Sequence, residues 1–289
     1  MANFVITTDS GCDLSLSFCK ENGIIPAFMK YNIDGEDFTD SMDPQKIKEF
    51  YNIMREGKMP RTAQLNSADF FDFWEPILKE GKDIVHICMS SGISGTYQSS
   101  LRAVEDCLEK YPERKIRVVD TLMTSTGNGL MAIECAKLLE SGADFETVAD
   151  WAEKSKRKVH ACFTTDDITY LHRGGRVSKV GMVLSKALKI YPVMHVDPNG
   201  ELKVFAKARG TSAAWETVAK AVEENCIDPQ NQTLYVSDAD NPEEAKKLGE
   251  MLQNRFGFKD VFYSKIGTII GSHTGPGLLT IFYMGKERI

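Results

Sequence analysis

Three stretches bring hydroxyl-bearing residues, glycines and carboxylates together at the ends of short apolar runs. They are Thr8-Asp9-Ser10-Gly11-Cys12-Asp13, Ser90-Ser91-Gly92-Ile93-Ser94-Gly95-Thr96 and Asp120-Thr121-Leu122-Met123-Thr124-Ser125-Thr126-Gly127. The second is the sharpest. Glycines flanking Ser94 let the backbone approach a ligand, and a helix starting there would offer free N–H groups and a positive dipole end to an anion. A nucleotide-binding loop of this kind would read Gly-x-x-x-x-Gly-Lys-Ser/Thr, and no such lysine follows. The expected anion is therefore a carboxylate or a single phosphate.

Two further segments carry imidazole and guanidinium groups. Gly271-Ser272-His273-Thr274-Gly275-Pro276-Gly277 reads as a shaped loop presenting His273 as a donor to an anion, or as a purely structural turn. Leu171-His172-Arg173-Gly174-Gly175-Arg176-Val177-Ser178 reads as a glycine-rich turn, either solvated or supplying two guanidinium groups to carboxylate or phosphate. Gly127-Asn128-Gly129-Leu130-Met131-Ala132 fits a dinucleotide pattern but starts well past the strand ending at Val119, so close helix packing explains its glycines better. The acidic stretch from Asp34 to Asp43 lacks the ligand order of a calcium loop, and Asp34-Gly35 reads as a hairpin turn.

These groups need a scaffold to position them. Phe4 to Thr7, Ile24 to Ile33, Ile84 to Met89, Ile116 to Val119 and Val159 to Thr164 read as strands. Between them lie helical patterns: Asp43-Pro44 opens one running to about Arg55, and Ser67 caps another carrying Phe70, Phe71, Trp74, Ile77 and Leu78. This alternation predicts a mostly parallel sheet with helices on both faces, with the three loops at its carboxyl edge, where such sheets bind ligands. After about Lys158 the pattern changes. Ile190 to Asp197 and Leu202 to Ala208 read as a hairpin, followed by helices over Thr211–Glu224 and Pro242–Phe256 and strands at Thr233–Ser237, Val261–Ile266 and Leu278–Tyr283. The expected fold is α/β in two domains: residues 1–158 with a mostly parallel three-layer sheet carrying the hydroxyl-rich loops, and residues 159–289 with a mixed sheet.

Composition narrows the function classes. The 289 residues are 42% hydrophobic and 26% charged, as in an ordinary globular chain. A net charge of -6 argues against a broad nucleic-acid surface. Cys12, Cys19, Cys88, Cys107, Cys135, Cys162 and Cys226 show no Cys-x-x-Cys pair, which suits reduced thiols and neither a disulfide framework nor a metal site. No apolar stretch reaches the roughly 18 residues of a membrane span and no signal-like segment opens the chain, so a cytoplasmic location is expected.

Asp9-Ser10-Gly11-Cys12-Asp13, Thr62-Ala63-Gln64, the block from Ser90 to Ser99, Leu171 to Arg176 and Gly271 to Gly277 together resemble, in order, the signature blocks of the DegV family. The resemblance implies a two-domain α/β protein that binds one long-chain fatty acid as ligand, without a cofactor. It also implies that some members, the FakB type, present the acid to a fatty acid kinase subunit that makes an acyl phosphate. By position, Thr62 and Ser94 match the hydroxyls that hold the carboxylate, the Gly95 N–H lies beside them, and His273 matches the head-group histidine. Arg173, Arg176 and Arg209 would meet a phosphorylated head group or the partner. Thr62-Ala63-Gln64-Leu65-Asn66 departs from the family's frequent Thr-Ser-Gln-Pro-Ser. Met182, Val183, Leu184, Leu188, Ile190 and Val193 are candidate tail contacts, and transient contact with a membrane would let the acid load and unload. The rival reading is a serine hydrolase using Ser94, Asp120 and His273, in the chain order of α/β-hydrolases but without the Gly-x-Ser-x-Gly elbow. An interaction role for the basic turn from His172 to Lys179 is the third.

Overall fold

The computed structural model describes residues 3–177 and 189–289. Met182, Val183, Leu184 and Leu188 lie outside the described residues.

The first half forms the expected parallel sheet. Strands β1 (Phe4–Asp9), β2 (Ile24–Ala27), β6 (Asp83–Cys88) and β7 (Ile116–Asp120) stand in the order β2-β1-β6-β7. Every pairing is parallel, so the loops after β1, β6 and β7 emerge at one edge. The run from Ile24 to Ile33 is not one strand. It breaks after Ala27, and β3 (Lys30–Ile33) pairs with β4 (Glu36–Thr39) and β5 (Arg61–Ala63) in a separate antiparallel sheet. The Asp34-Gly35 turn, with both residues at positive φ, folds β4 back on β3 and so withdraws these residues from the parallel sheet.

The helices of this half are α1 (Leu16–Glu21), α2 (Pro44–Arg55), α3 (Ser67–Lys79), α4 (Thr96–Lys110), α5 (Thr126–Glu140) and α6 (Phe145–Ser155). Asp43 caps α2 by accepting from the Gln45 and Lys46 amides, with Pro44 in the first turn. The cap of α3 is Asn66, one residue before Ser67, because Asn66 and Asp69 close a reciprocal capping box.

The second half holds β8 (Val159–Thr164), β9 (Ile190–Val196), β10 (Leu202–Arg209), β11 (Thr233–Asp238), β12 (Asp260–Lys265) and β13 (Leu279–Met284), with helices α7 (Thr169–Arg173), α8 (Thr211–Asn225), α9 (Pro242–Phe256) and α10 (Thr268–Thr274). Its strand order is β10-β9-β8-β13-β11-β12, and only β11 and β12 pair in parallel, so the sheet is mixed as expected. One face packs toward the parallel sheet: Phe163, Met194, Val196 and Phe282 share a single apolar cluster with Phe4, Ile6 and Ile84. The opposite face, with Val193, Leu234 and Ile281, is covered by α8 and α9. Strand alternation thus sends Val193 away from the cavity described below, correcting its place among the tail contacts. Ile190, at the start of β9, does not line that cavity either.

Candidate functional site

A cavity of about 300 Å³ lies where the carboxyl-edge loops of the parallel sheet meet the inward face of the mixed sheet. That volume is at the lower end of the range of about 300–1,000 Å³ usual for small-molecule sites. Its polar groups include Thr62, Gln64, Ser94, Arg176 and His273, and much of the rest is Met29, Met89, Phe163, Val196, Leu202 and Phe282.

Two of the three loops expected to share a site do so: Ser94 comes from the loop after β6, and Thr124 and Ser125 from the loop after β7. The loop after β1 does not. Ser10 and Asp13 line a second cavity, of about 420 Å³, with Asp40 and Asp238. The carboxylates of all three loops act as braces. Asp9 accepts from the amides of Gly11 and Met89, and burial pushes its carboxyl up to about 6. Asp120 accepts from the amides of Ser91 and Leu122, tying the second loop to the third at 3.1 Å each. Asp13 accepts from Ser125 Oγ and from the Gly267 amide, joining the two halves of the chain.

Ser94 is held by its own loop. The amides of Ile93 and Ser94 both donate to the Ser90 carbonyl at 3.2 Å, and Ser90 Oγ donates to the Gly200 carbonyl at 2.9 Å, docking the loop onto the β9–β10 turn. Ser94 Oγ lies 2.9 Å from Thr96 Oγ1 and accepts from the Thr96 amide at 3.3 Å. Gly95 is the residue before α4 and supplies no side-chain cap, which leaves first-turn amides beyond that of Thr96 available to an anion.

His273 sits on α10, a short helix, and not in a loop as its glycines suggested. Gly271 falls inside that helix, Gly275 at positive φ stops it, and Gly277 lies in the turn beyond. Its Nε2 lies 2.8 Å from Thr62 Oγ1, and its Nδ1 is buried without a partner among the described residues. Burial, and secondarily the Arg176 charge, lowers its pKa to about 4. The ring is therefore neutral at pH 7 and can donate one N–H to Thr62, whose own O–H is then free to donate into the cavity.

Arg176 follows α7, so the glycine-rich turn is helix first and turn second. Its Nε donates to the Ile93 carbonyl at 3.3 Å, which sets the guanidinium beside Ser94. The other two arginines do not reach the cavity. Arg173 ends α7 exposed, and Arg209 is exposed on the outermost strand β10.

Gln64 was not singled out from the sequence although it lines the site. The signal was extended-chain alternation: Gln64 directly follows β5, two positions from Thr62, and both line the cavity. The glycines at 127 and 129 act in packing. A side chain on Gly127 would strike Met123 and Phe282, and one on Gly129 would strike the Cys12 carbonyl.

The hydrogen bonds do not form a hydrolytic triad. Ser94 is engaged with Thr96, His273 with Thr62, and Asp120 with two backbone amides. Among the described residues, Ser94 makes no hydrogen bond to His273 and no carboxylate bonds the His273 ring.

No helix among the described residues is long and apolar enough to cross a membrane. The family model described as "Uncharacterised protein, DegV family" matches residues 3–286. A DegV domain-containing protein of Clostridium perfringens is 38% identical over 289 residues, covering 100% of this chain and 99% of its relative. Among solved structures, a DegV lipid-binding protein of Thermotoga maritima superposes with a TM-score of 0.87 at 28% identity, covering 100% of both chains. DegV of Bacillus subtilis, a fatty acid binding protein, superposes with a TM-score of 0.83 at 26% identity, covering 99% of this chain and 100% of its own. By whole-length sequence match and by fold, the chain belongs to the DegV family.

Proposed function

We propose that this protein binds one long-chain fatty acid non-covalently, with the carboxylate among Thr62, Ser94, Gly95 and His273 and the tail along the apolar walls of the same cavity. The observation that carries this reading is the convergence of Thr62, Ser94, Arg176 and His273 on one apolar-walled cavity. A carboxylate taken out of water needs several donors to replace its hydration. Thr62 Oγ1, Ser94 Oγ and the first-turn amides of α4 supply them, and the neutral imidazole orients the Thr62 hydroxyl. The nearby guanidinium of Arg176 supplies the opposite charge. Affinity comes from the tail: at ~0.8 kcal/mol per CH₂, about fifteen methylenes contribute on the order of 12 kcal/mol before ordering costs. A bilayer solvates the same tail, so loading and release through transient membrane contact remain reversible.

The same acid would be presented to a fatty acid kinase subunit, with Arg176 meeting the phosphorylated head group and exposed Arg173 meeting the partner. Arg209 stands on the edge strand β10, outside the cavity lining, so it takes no part in holding the head group. Arg173→Glu should leave acid binding intact and lower acyl phosphate formation by an added kinase. Unchanged phosphorylation overturns that assignment.

Native mass spectrometry after mild purification tests the primary reading. A co-purified mass matching a long-chain acid, released by solvent extraction, is the expected result. Protein that stays ligand-free and takes up no added stearic acid would refute it.

A further inference from the structure

The wall of the cavity facing the tail contains a hydroxyl that an alkyl chain does not use. Strand β13 runs through the middle of the mixed sheet, and alternation along it turns Leu278, Thr280 and Phe282 toward the cavity. Thr280 is 4% exposed, its backbone pairs with Phe163 and Ser237, and its side chain makes no hydrogen bond among the described residues. Its Oγ1 therefore faces cavity space between two apolar side chains.

The neighbouring loop repeats the feature. Thr124 also lines the cavity, and its Oγ1 is buried without a partner among the described residues. A side chain added three residues on, at Gly127, would strike Phe282, so this loop packs next to the residue two positions beyond Thr280. Thr274, on the α10 side of the lining, likewise has its Oγ1 buried without a partner among the described residues, whereas Thr62 is engaged with His273, Ser94 with Thr96, and Ser125 with Asp13.

A cavity-facing hydroxyl becomes costly once an alkyl chain covers it without offering a partner, and valine would give the same shape without that cost. We infer that the cavity is built for an acyl chain bearing a polar substituent along its length, a hydroxy fatty acid, with Thr280 as the residue that recognises the chain hydroxyl. This inference rests on the acyl-binding reading above and names the substrate class within it. Adding a hydroxyl to a chain also raises its cost of leaving water. The diagnostic quantity is accordingly the coupling between the ligand hydroxyl and the Thr280 hydroxyl, not the absolute affinity.

The experiment measures dissociation constants of the full chain for stearic acid and for octadecanoic acids hydroxylated at position 10 or position 12, by displacement of a fluorescent fatty acid. Native protein and Thr280→Val are compared, with thermal unfolding as a check on the variant. For at least one hydroxy acid, Thr280→Val should weaken binding roughly tenfold, as expected for the loss of one net hydrogen bond. Stearic acid should bind the variant as tightly as native or tighter. Equal changes for hydroxylated and plain acids overturn the inference while leaving acyl binding standing. If the variant does not fold, the native protein decides alone: hydroxy acids binding more than about a hundredfold weaker than stearic acid would mean that the chain hydroxyl finds no partner, at the few kcal/mol of an unsatisfied polar group. Failure of every acid to bind refutes the underlying reading instead.

Discussion

Thr62 Oγ1 and His273 Nε2 lie 2.8 Å apart although 211 residues separate them along the chain. The contact joins the small antiparallel sheet to the helix leading into the central strand of the mixed sheet. With the neutral ring protonated at Nε2, the imidazole occupies the acceptor side of the hydroxyl and leaves its proton free for the proposed carboxylate. Thr62→Val removes that donor while keeping shape. It should weaken fatty acid retention by roughly 1.5–3 kcal/mol, tenfold or more, read by displacement titration.

Ser94 should behave as a ligand donor and not as a nucleophile. Incubation with a serine-reactive fluorophosphonate is expected to leave its mass unchanged, and Ser94→Ala should lower acid affinity about tenfold. An adduct on Ser94 would reinstate the hydrolase reading.

The pH dependence of stability isolates His273. Its folded pKa is about 4 against an ordinary value of 6.5, so in that window the unfolded chain binds a proton that the folded chain does not. Stability from this group is full above about pH 6.5 and falls as pH drops toward 4. Asp9, raised to about 6 from 3.8, carries the opposite sign between those values, so native protein must be compared with His273→Gln. The stability difference between them, by urea unfolding, should shrink as pH falls from 6.5 to 4, with a slope of up to about 1.4 kcal/mol per pH unit. A constant difference would mean that the imidazole is not desolvated.

Arg288 is 7% exposed and donates to the carbonyls of Val196, Asp197, Leu122 and Lys156 at distances of 2.7–3.1 Å. It pins the β9–β10 turn to the loop after β7, one wall of the cavity to another. Arg288→Met should cost roughly 3 kcal/mol or more, because four carbonyls, one buried and three part-buried, lose a charged donor. A drop in the thermal midpoint without change in secondary structure by circular dichroism is the expected observation.

Much of the scaffold was legible because its signals are local. Asp43-Pro44 at the head of α2 and Asn241-Pro242 at the head of α9 mark starts that the structure keeps. The break within Ile24–Ile33 was not legible, since one apolar run carries no mark of which partner strand claims each half. The same holds for His273: three glycines read as a loop, but packing of α10 against α7 and the small sheet lets the segment complete two helical turns.

By itself the sequence determined the residue kinds: hydroxyls and glycines after β6 and β7, an imidazole near the end of the chain, alternating strands and helices. Only the tertiary structure decided which of them meet. Asp9, Asp13 and Asp120 look as reactive on paper as Thr62 and Ser94, yet the fold spends them bracing loops through backbone amides. The physical reason is that a side chain's role depends on what desolvates it and which donors face it. Those contacts are made across strands and helices far apart in sequence, where local periodicity carries no information.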